Sequence, residues 1–73
     1  MLKEKILKEI EKVTNGERFI SYEQLEEIEF IPYVYMENCG ISGTGKGMLY
    51  TLYLTDQNGN KTEEELAELV AVL

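Results

Sequence analysis

Leu2, Ile6, Leu7, Ile10 and Val13 recur three or four residues apart with Lys and Glu between them, a pattern that predicts an amphipathic helix over residues 2–14. Asn15-Gly16 ends it, because glycine takes the left-handed conformation that closes a helix, and Glu4 and Lys8 add a little support one turn apart. Phe19 and Ile20 lead into Ser21-Tyr22-Glu23-Gln24, where serine followed three residues later by glutamine fits a capping box. A short helix from about Tyr22 to Ile28 is expected there, with Leu25 and Ile28 inward. Phe19 to Tyr22 also reads as a third short strand, and both readings stay open.

Phe30 to Met36 is β-branched and aromatic, with Pro32 near its start, which suits an edge strand. Met48 to Thr55 alternates: Met48, Tyr50, Leu52 and Leu54 on one side, Leu49, Thr51, Tyr53 and Thr55 on the other. Joined by the glycine-rich Cys39 to Gly47, these two runs predict an antiparallel hairpin. Phe30, Val34 and Met36 would line its core side, leaving Ile31, Tyr33, Tyr35 and Glu37 outside. Asp56 to Asn60 is a turn cluster. Thr62-Glu63-Glu64-Glu65 reads as a second capping box, and Leu66, Leu69, Val70 and Leu73 as the stripe of a C-terminal helix. The expected fold is therefore a small α+β domain over residues 1–73: helix, short helix, hairpin, helix.

Seventy-three residues bury only about 60% of the surface of the unfolded chain, so stability should be marginal and a homodimer is one expected way to cover more of it. With 44% hydrophobic and 29% charged residues the composition is that of a folded domain. The formal charge of −7 is unevenly spread. Residues 1–18 carry five bases and four acids, a balance of +1; residues 19–73 carry ten acids against Lys46 and Lys61, a balance of −8. That field repels phosphate backbones, which argues against direct nucleic-acid binding and for a protein partner with a basic surface. A lone Cys39 and an amino terminus with no continuous apolar core lead to the expectation of a cytoplasmic protein with no disulfide, signal peptide or membrane span.

Histidine is absent, which removes histidine-based nucleophilic and metal sites and the usual general base, and Cys39 has Glu37 rather than a base close by in sequence. Gly40-Ile41-Ser42-Gly43-Thr44-Gly45-Lys46-Gly47 nearly matches a phosphate-binding loop, but Gly47 replaces its final hydroxyl and a strand pattern follows where a helix is needed. Asp56, Asn58 and Asn60 fit the first positions of a calcium loop, yet Lys61 and Ala67 stand where glycine and a bidentate acid belong. No catalytic residue, metal or cofactor is expected.

Two resemblances are fragmentary. Ile6 to Ile10 with Phe19 to Leu25 is similar in rhythm to the first two helices of winged-helix DNA-binding domains, but no basic recognition helix follows. Ile10 to Gly16 and Asp56 to Gly59 resemble the phage-encoded uracil-DNA glycosylase inhibitors, acidic DNA mimics that end in a strand where this chain is expected to end in a helix. No functional residue is carried over from either.

The reading that results is a non-enzymatic acidic protein-binding module, of the phage-inhibitor or DNA-mimic kind, acting on a basic nucleic-acid-handling protein. Its candidate partner-binding residues are Glu23, Glu26, Glu27, Glu29, Tyr33, Tyr35, Glu37, Tyr53, Glu63 and Glu64. The alternatives are a phosphate or nucleotide binder using Gly40 to Gly47, and a structural homo-oligomerisation domain.

Overall fold

A computed structural model describes residues 2–43 and 45–72. The order is α1 (Leu2–Thr14), β1 (Phe19–Ile20), α2 (Tyr22–Glu29), β2 (Val34–Ile41), β3 (Gly47–Thr55) and β4 (Lys61–Val72). The strands form one mixed sheet in the order β1-β4-β3-β2, with β1 parallel to β4 and the other two pairings antiparallel.

Helix α1 covers the expected residues, and its end is closed by Asn15 (φ 57°) and Gly16 (φ 77°). Helix α2 opens on the expected capping box. Ser21 Oγ accepts from the Gln24 N–H at 3.2 Å, and Gln24 Oε1 accepts from the Ser21 N–H at 2.8 Å. Gln24 Nε2 also donates to the Val13 carbonyl at 2.8 Å, so the cap ties α2 to the end of α1. Ser21→Ala is expected to lower stability by about 1 kcal/mol, measured by urea unfolding. An unchanged midpoint would mean that water replaces the cap without loss.

The expected C-terminal helix is absent, and the hairpin is half of a larger sheet. Residues 61–72 form β4, paired with β3 from Thr55↔Lys61 to Gly47↔Val72. Local propensity favours a helix at Glu63-Glu64-Glu65, but a two-stranded hairpin is marginal in water, and β4 satisfies the second backbone edge of β3. Alternation carries the strand just as well as helical spacing carries a helix. Leu69 and Ala71 face the core, while Glu68, Val70 and Val72 face away. Register shifts between Leu52/Tyr53 and Tyr53/Thr55 take up the extra residues of β4 and bring both Leu66 and Ala67 against the core. The expected cap at Thr62 serves the sheet instead, its hydroxyl donating to the Leu54 carbonyl at 2.5 Å.

The third short strand, left open above, exists as β1: Phe19 lies opposite Val70 and Ile20 opposite Ala71. It has a partner only because the tail is a strand.

The turn joining β3 to β4 is held by Asp56, whose Oδ1 accepts the N–H groups of Asn58 and Asn60, both at 2.9 Å, with Gly59 at φ 82°. These bonds, that from Asn60 most of all, hold the Asp56 carboxyl below its usual range. Lys3 does the same for Glu64 through a 2.7 Å ion pair. A carboxyl with a lowered folded-state pKa contributes stability above its unfolded pKa, and that contribution is lost as pH falls through the folded value. Acid titration should therefore destabilise the domain below the usual carboxylate range. Asp56→Asn, which keeps the acceptor oxygen, should flatten the slope of melting temperature against pH, and an unchanged slope would remove Asp56 from this role.

Both helices lie on one face of the sheet. Ile6 and Ile10 of α1, Ile20 of β1, Leu25 and Ile28 of α2, Leu52 of β3, and Leu69 and Ala71 of β4 form a single buried cluster, joined at its margin by Val34, Met36, Tyr50 and Leu54. Strand β2 starts at Val34, not Phe30. Phe30 caps α2, its N–H bonded to the Glu27 carbonyl, and Ile31 bonds back to Ile28, so Pro32 and Tyr33 (φ 67°) make the reversal into the sheet. Two expected orientations are thereby exchanged: Phe30 is 86% exposed, and Ile31 packs on the core.

Candidate functional site

Neither helix packs on the opposite face of the sheet, where Thr51 and Val70 are nonetheless buried among their neighbours, and the strand register lays that face out in rows. At one end Val72 lies beside Gly47. The next row is Phe19, Val70 and Leu49, followed by Glu68, Thr51 and Glu37, then Glu65, Tyr53 and Tyr35, and finally Lys61 and Thr55. The face thus grades from apolar to acidic and tyrosine-bearing along its strands. Strand alternation adds Glu63, between Glu65 and Lys61, to the acidic end.

Lys61 organises that end. Its ammonium bonds Glu37 Oε1 at 2.9 Å and sits 4.3 Å from the centre of the Tyr53 ring, joining β4 to β2 across β3. The Glu37 bond raises the Lys61 pKa above its usual value. Arg18 is bound to Glu68 in the same way, as an ion pair at the rim. Among the described residues Lys61 and Arg18 are therefore both engaged, whereas Glu63 and Glu65 have no ion-pair partner. Cys39 rests its sulfur 3.3 Å from the Thr51 hydroxyl.

The structure brings together only part of the candidate set. Tyr35, Tyr53 and Glu37 share the open face, with Tyr35 and Tyr53 directly opposite one another. Glu23, Glu26, Glu27 and Glu29 lie on exposed positions of α2, in the helix layer behind the sheet. Tyr33 belongs to a groove with Leu2, Ile6 and Pro32 at the foot of α1. Glu64 points to the helix side, where Lys3 holds it. Glu63 and Glu65 therefore lie on the opposite side of the sheet from Glu64 and from the acids of α2.

Glu65, Glu68, Lys61 and Phe19 were missed as members of this face. Strand alternation in residues 61–72 was the signal for the first three, and it was obscured by the helix-like spacing of Leu66, Leu69 and Leu73.

The glycine segment is a strand connection. Cys39 to Ile41 belong to β2, with a register irregularity between Asn38 and Ile41, and the turn is closed by Ser42 N–H to the Gly47 carbonyl at 2.8 Å and Gly45 N–H to the Ser42 carbonyl at 2.9 Å. Thr44 lies outside the described residues. Strand β3 follows directly, so no helix amino terminus faces the loop. Among the described residues no group of three potential metal ligands converges, and no helix is long and apolar enough to cross a membrane.

Compared with known protein families, with characterised proteins and with solved structures, the chain matches none.

Proposed function

We propose that this chain is a non-enzymatic binding module that holds a basic surface of another protein against the acidic, tyrosine-bearing end of its open sheet face. The observation that carries this reading is the arrangement of Glu37, Glu63 and Glu65 around Tyr35 and Tyr53, with Lys61 engaged internally. Tyrosines supply rigid contact area that also hydrogen-bonds, and the glutamates supply long-range attraction. Such a face competes with nucleic acid for the same basic surface. The partner class is thus a nucleic-acid-handling protein, and the activity is inhibition by imitation of DNA, as in inhibitors that phages encode.

The test begins with the partner captured from host extract on the immobilised chain, which should be basic and displaced by duplex DNA. Raising salt should slow association about tenfold or more while dissociation changes less, because screening acts on encounter. The double reversal Glu63→Lys/Glu65→Lys should cost more than Glu4→Lys/Glu9→Lys in the balanced first helix. A larger loss from Glu26→Lys/Glu27→Lys would move the site to the helix layer. An association rate indifferent to salt would end the steering argument.

A further inference from the structure

We propose that the open edge of β4 takes up an extended segment of the basic partner as a further strand of the sheet, a segment that alternates basic with apolar side chains. This rests on the reading of the chain as a binder of basic surfaces and says how such a surface is held. Strand β4 is paired with β3 along its length, but on its other side β1 covers only Val70 and Ala71. Among the described residues, 61–68 therefore form a strand edge with no strand beside it.

The register shows which main-chain groups that edge offers. Thr55 donates its N–H to the Tyr33 carbonyl, so Thr55, and Tyr53, Thr51 and Leu49 in step with it, turn their main-chain groups towards β2. Their partners Glu65, Glu68 and Val70 turn theirs away from β3. At Val70 the N–H meets the Arg18 carbonyl at 2.9 Å, so this side of β4 already accepts an extended chain where one is present. Beside the edge a groove runs between α1 and β4, its walls apolar: Leu7 and Ile10 on the helix, Ala67 and Leu69 on the strand. A strand laid along β4 would send alternate side chains into this groove and the others onto the opposite sheet face, beside Glu63 and Glu65.

The charge selects the occupant. Glu11 and Glu17 stand exposed at the rim of the groove, and among the described residues neither they nor Glu63 and Glu65 have an ion-pair partner. Arg18, which also lines the groove, is bound to Glu68. Acids along an edge discourage pairing with a second copy, which carries the same −7 charge. They attract a basic segment, whose main chain adds hydrogen bonds while the groove takes its apolar side chains. The outer edge of β2 lacks this pattern. Its one charged residue, Glu37, is bound to Lys61, and the strand is irregular between Asn38 and Ile41.

The probe is a synthetic peptide of alternating lysine and valine, set against the same peptide N-methylated at each backbone amide, which keeps the charge and removes the N–H donors. Hydrogen exchange at the Glu65 and Glu68 amides should slow by roughly tenfold or more when the plain peptide is added, and the methylated peptide should bind roughly tenfold or more weakly. Glu65→Pro, which removes an edge N–H, should weaken the plain peptide more than Glu65→Gln, which removes only the charge, each variant being checked for an unchanged circular dichroism spectrum. Should the proline variant misfold, the two peptides on the wild-type chain still decide. Equal binding of both peptides, or protection falling on Val34 and Met36 of β2 instead, would overturn strand addition at β4 and leave the attraction of basic surfaces standing. Failure of both peptides to bind would overturn that reading as well. Protection that arises without peptide and grows with protein concentration would put a second copy on the edge and overturn the proposal.

Discussion

Leu52→Ala is expected to leave the domain largely unfolded. Leu52 is fully buried at the middle of β3, in the cluster that joins both helices to the sheet. Removing three side-chain carbons there costs the transfer energy of the lost atoms and leaves a cavity that the strand backbone cannot close, about 2–5 kcal/mol for a buried leucine. A core of this size supplies only about 3–5 kcal/mol of net stability, so the loss is comparable with the whole. Urea titration followed by circular dichroism checks it. A midpoint shift worth less than about 1 kcal/mol would mean that the helices slide in to fill the gap and that Leu52 is not the centre of the core.

Gly47→Ala should come next, and it separates two meanings of glycine in one loop. A Cβ at Gly47 would stand 2.2 Å from the Ala71 carbonyl oxygen and 2.9 Å from its carbon, both backbone atoms of β4. Neither can rotate away, so β3 and β4 must part at that end, at a cost of about 1–3 kcal/mol or more. At Gly43 a Cβ meets nothing within 4 Å and the backbone is not left-handed, so Gly43→Ala should be neutral or stabilise by a few tenths of a kcal/mol through the unfolded chain. Hydrogen exchange should report the difference, with faster exchange at Val70 to Val72 in Gly47→Ala alone. Equal stabilities for the two variants would mean that the strands do not approach as closely at Gly47 as the register requires.

Residues whose partners lie close in sequence are readable without the fold. The stripe of α1, the Asn15-Gly16 stop, the Ser21/Gln24 box and the two-sided alternation of β3 each follow from interactions spanning a few residues, and each is found in place. The α2–β2 corner was less legible. Whether Phe30 or Ile31 turns inward depends on how α2 terminates before Pro32, one residue of phase in a segment that suits either.

The last twelve residues of the described chain mark the limit. Thr62-Glu63-Glu64-Glu65 with Leu66, Leu69 and Val70 satisfies helical rules, and Ala67 to Val72 satisfies the alternation of a strand. Energies of a few tenths of a kcal/mol per residue do not separate the two. The decision came from β3, whose second edge offered these residues hydrogen bonds along its length, and from the core, which took Leu69 and Ala71. With β4 in place Phe19 and Ile20 gained a strand to pair with, and Glu63, Glu65 and Glu68 left the side of the acids on α2 for the opposite face. Composition and spacing established a small acidic domain with two amphipathic helices and an aromatic hairpin. Which acids stand beside which tyrosines was settled by strand register, because side chains alternate every residue along a strand and their neighbours across it come from distant parts of the chain.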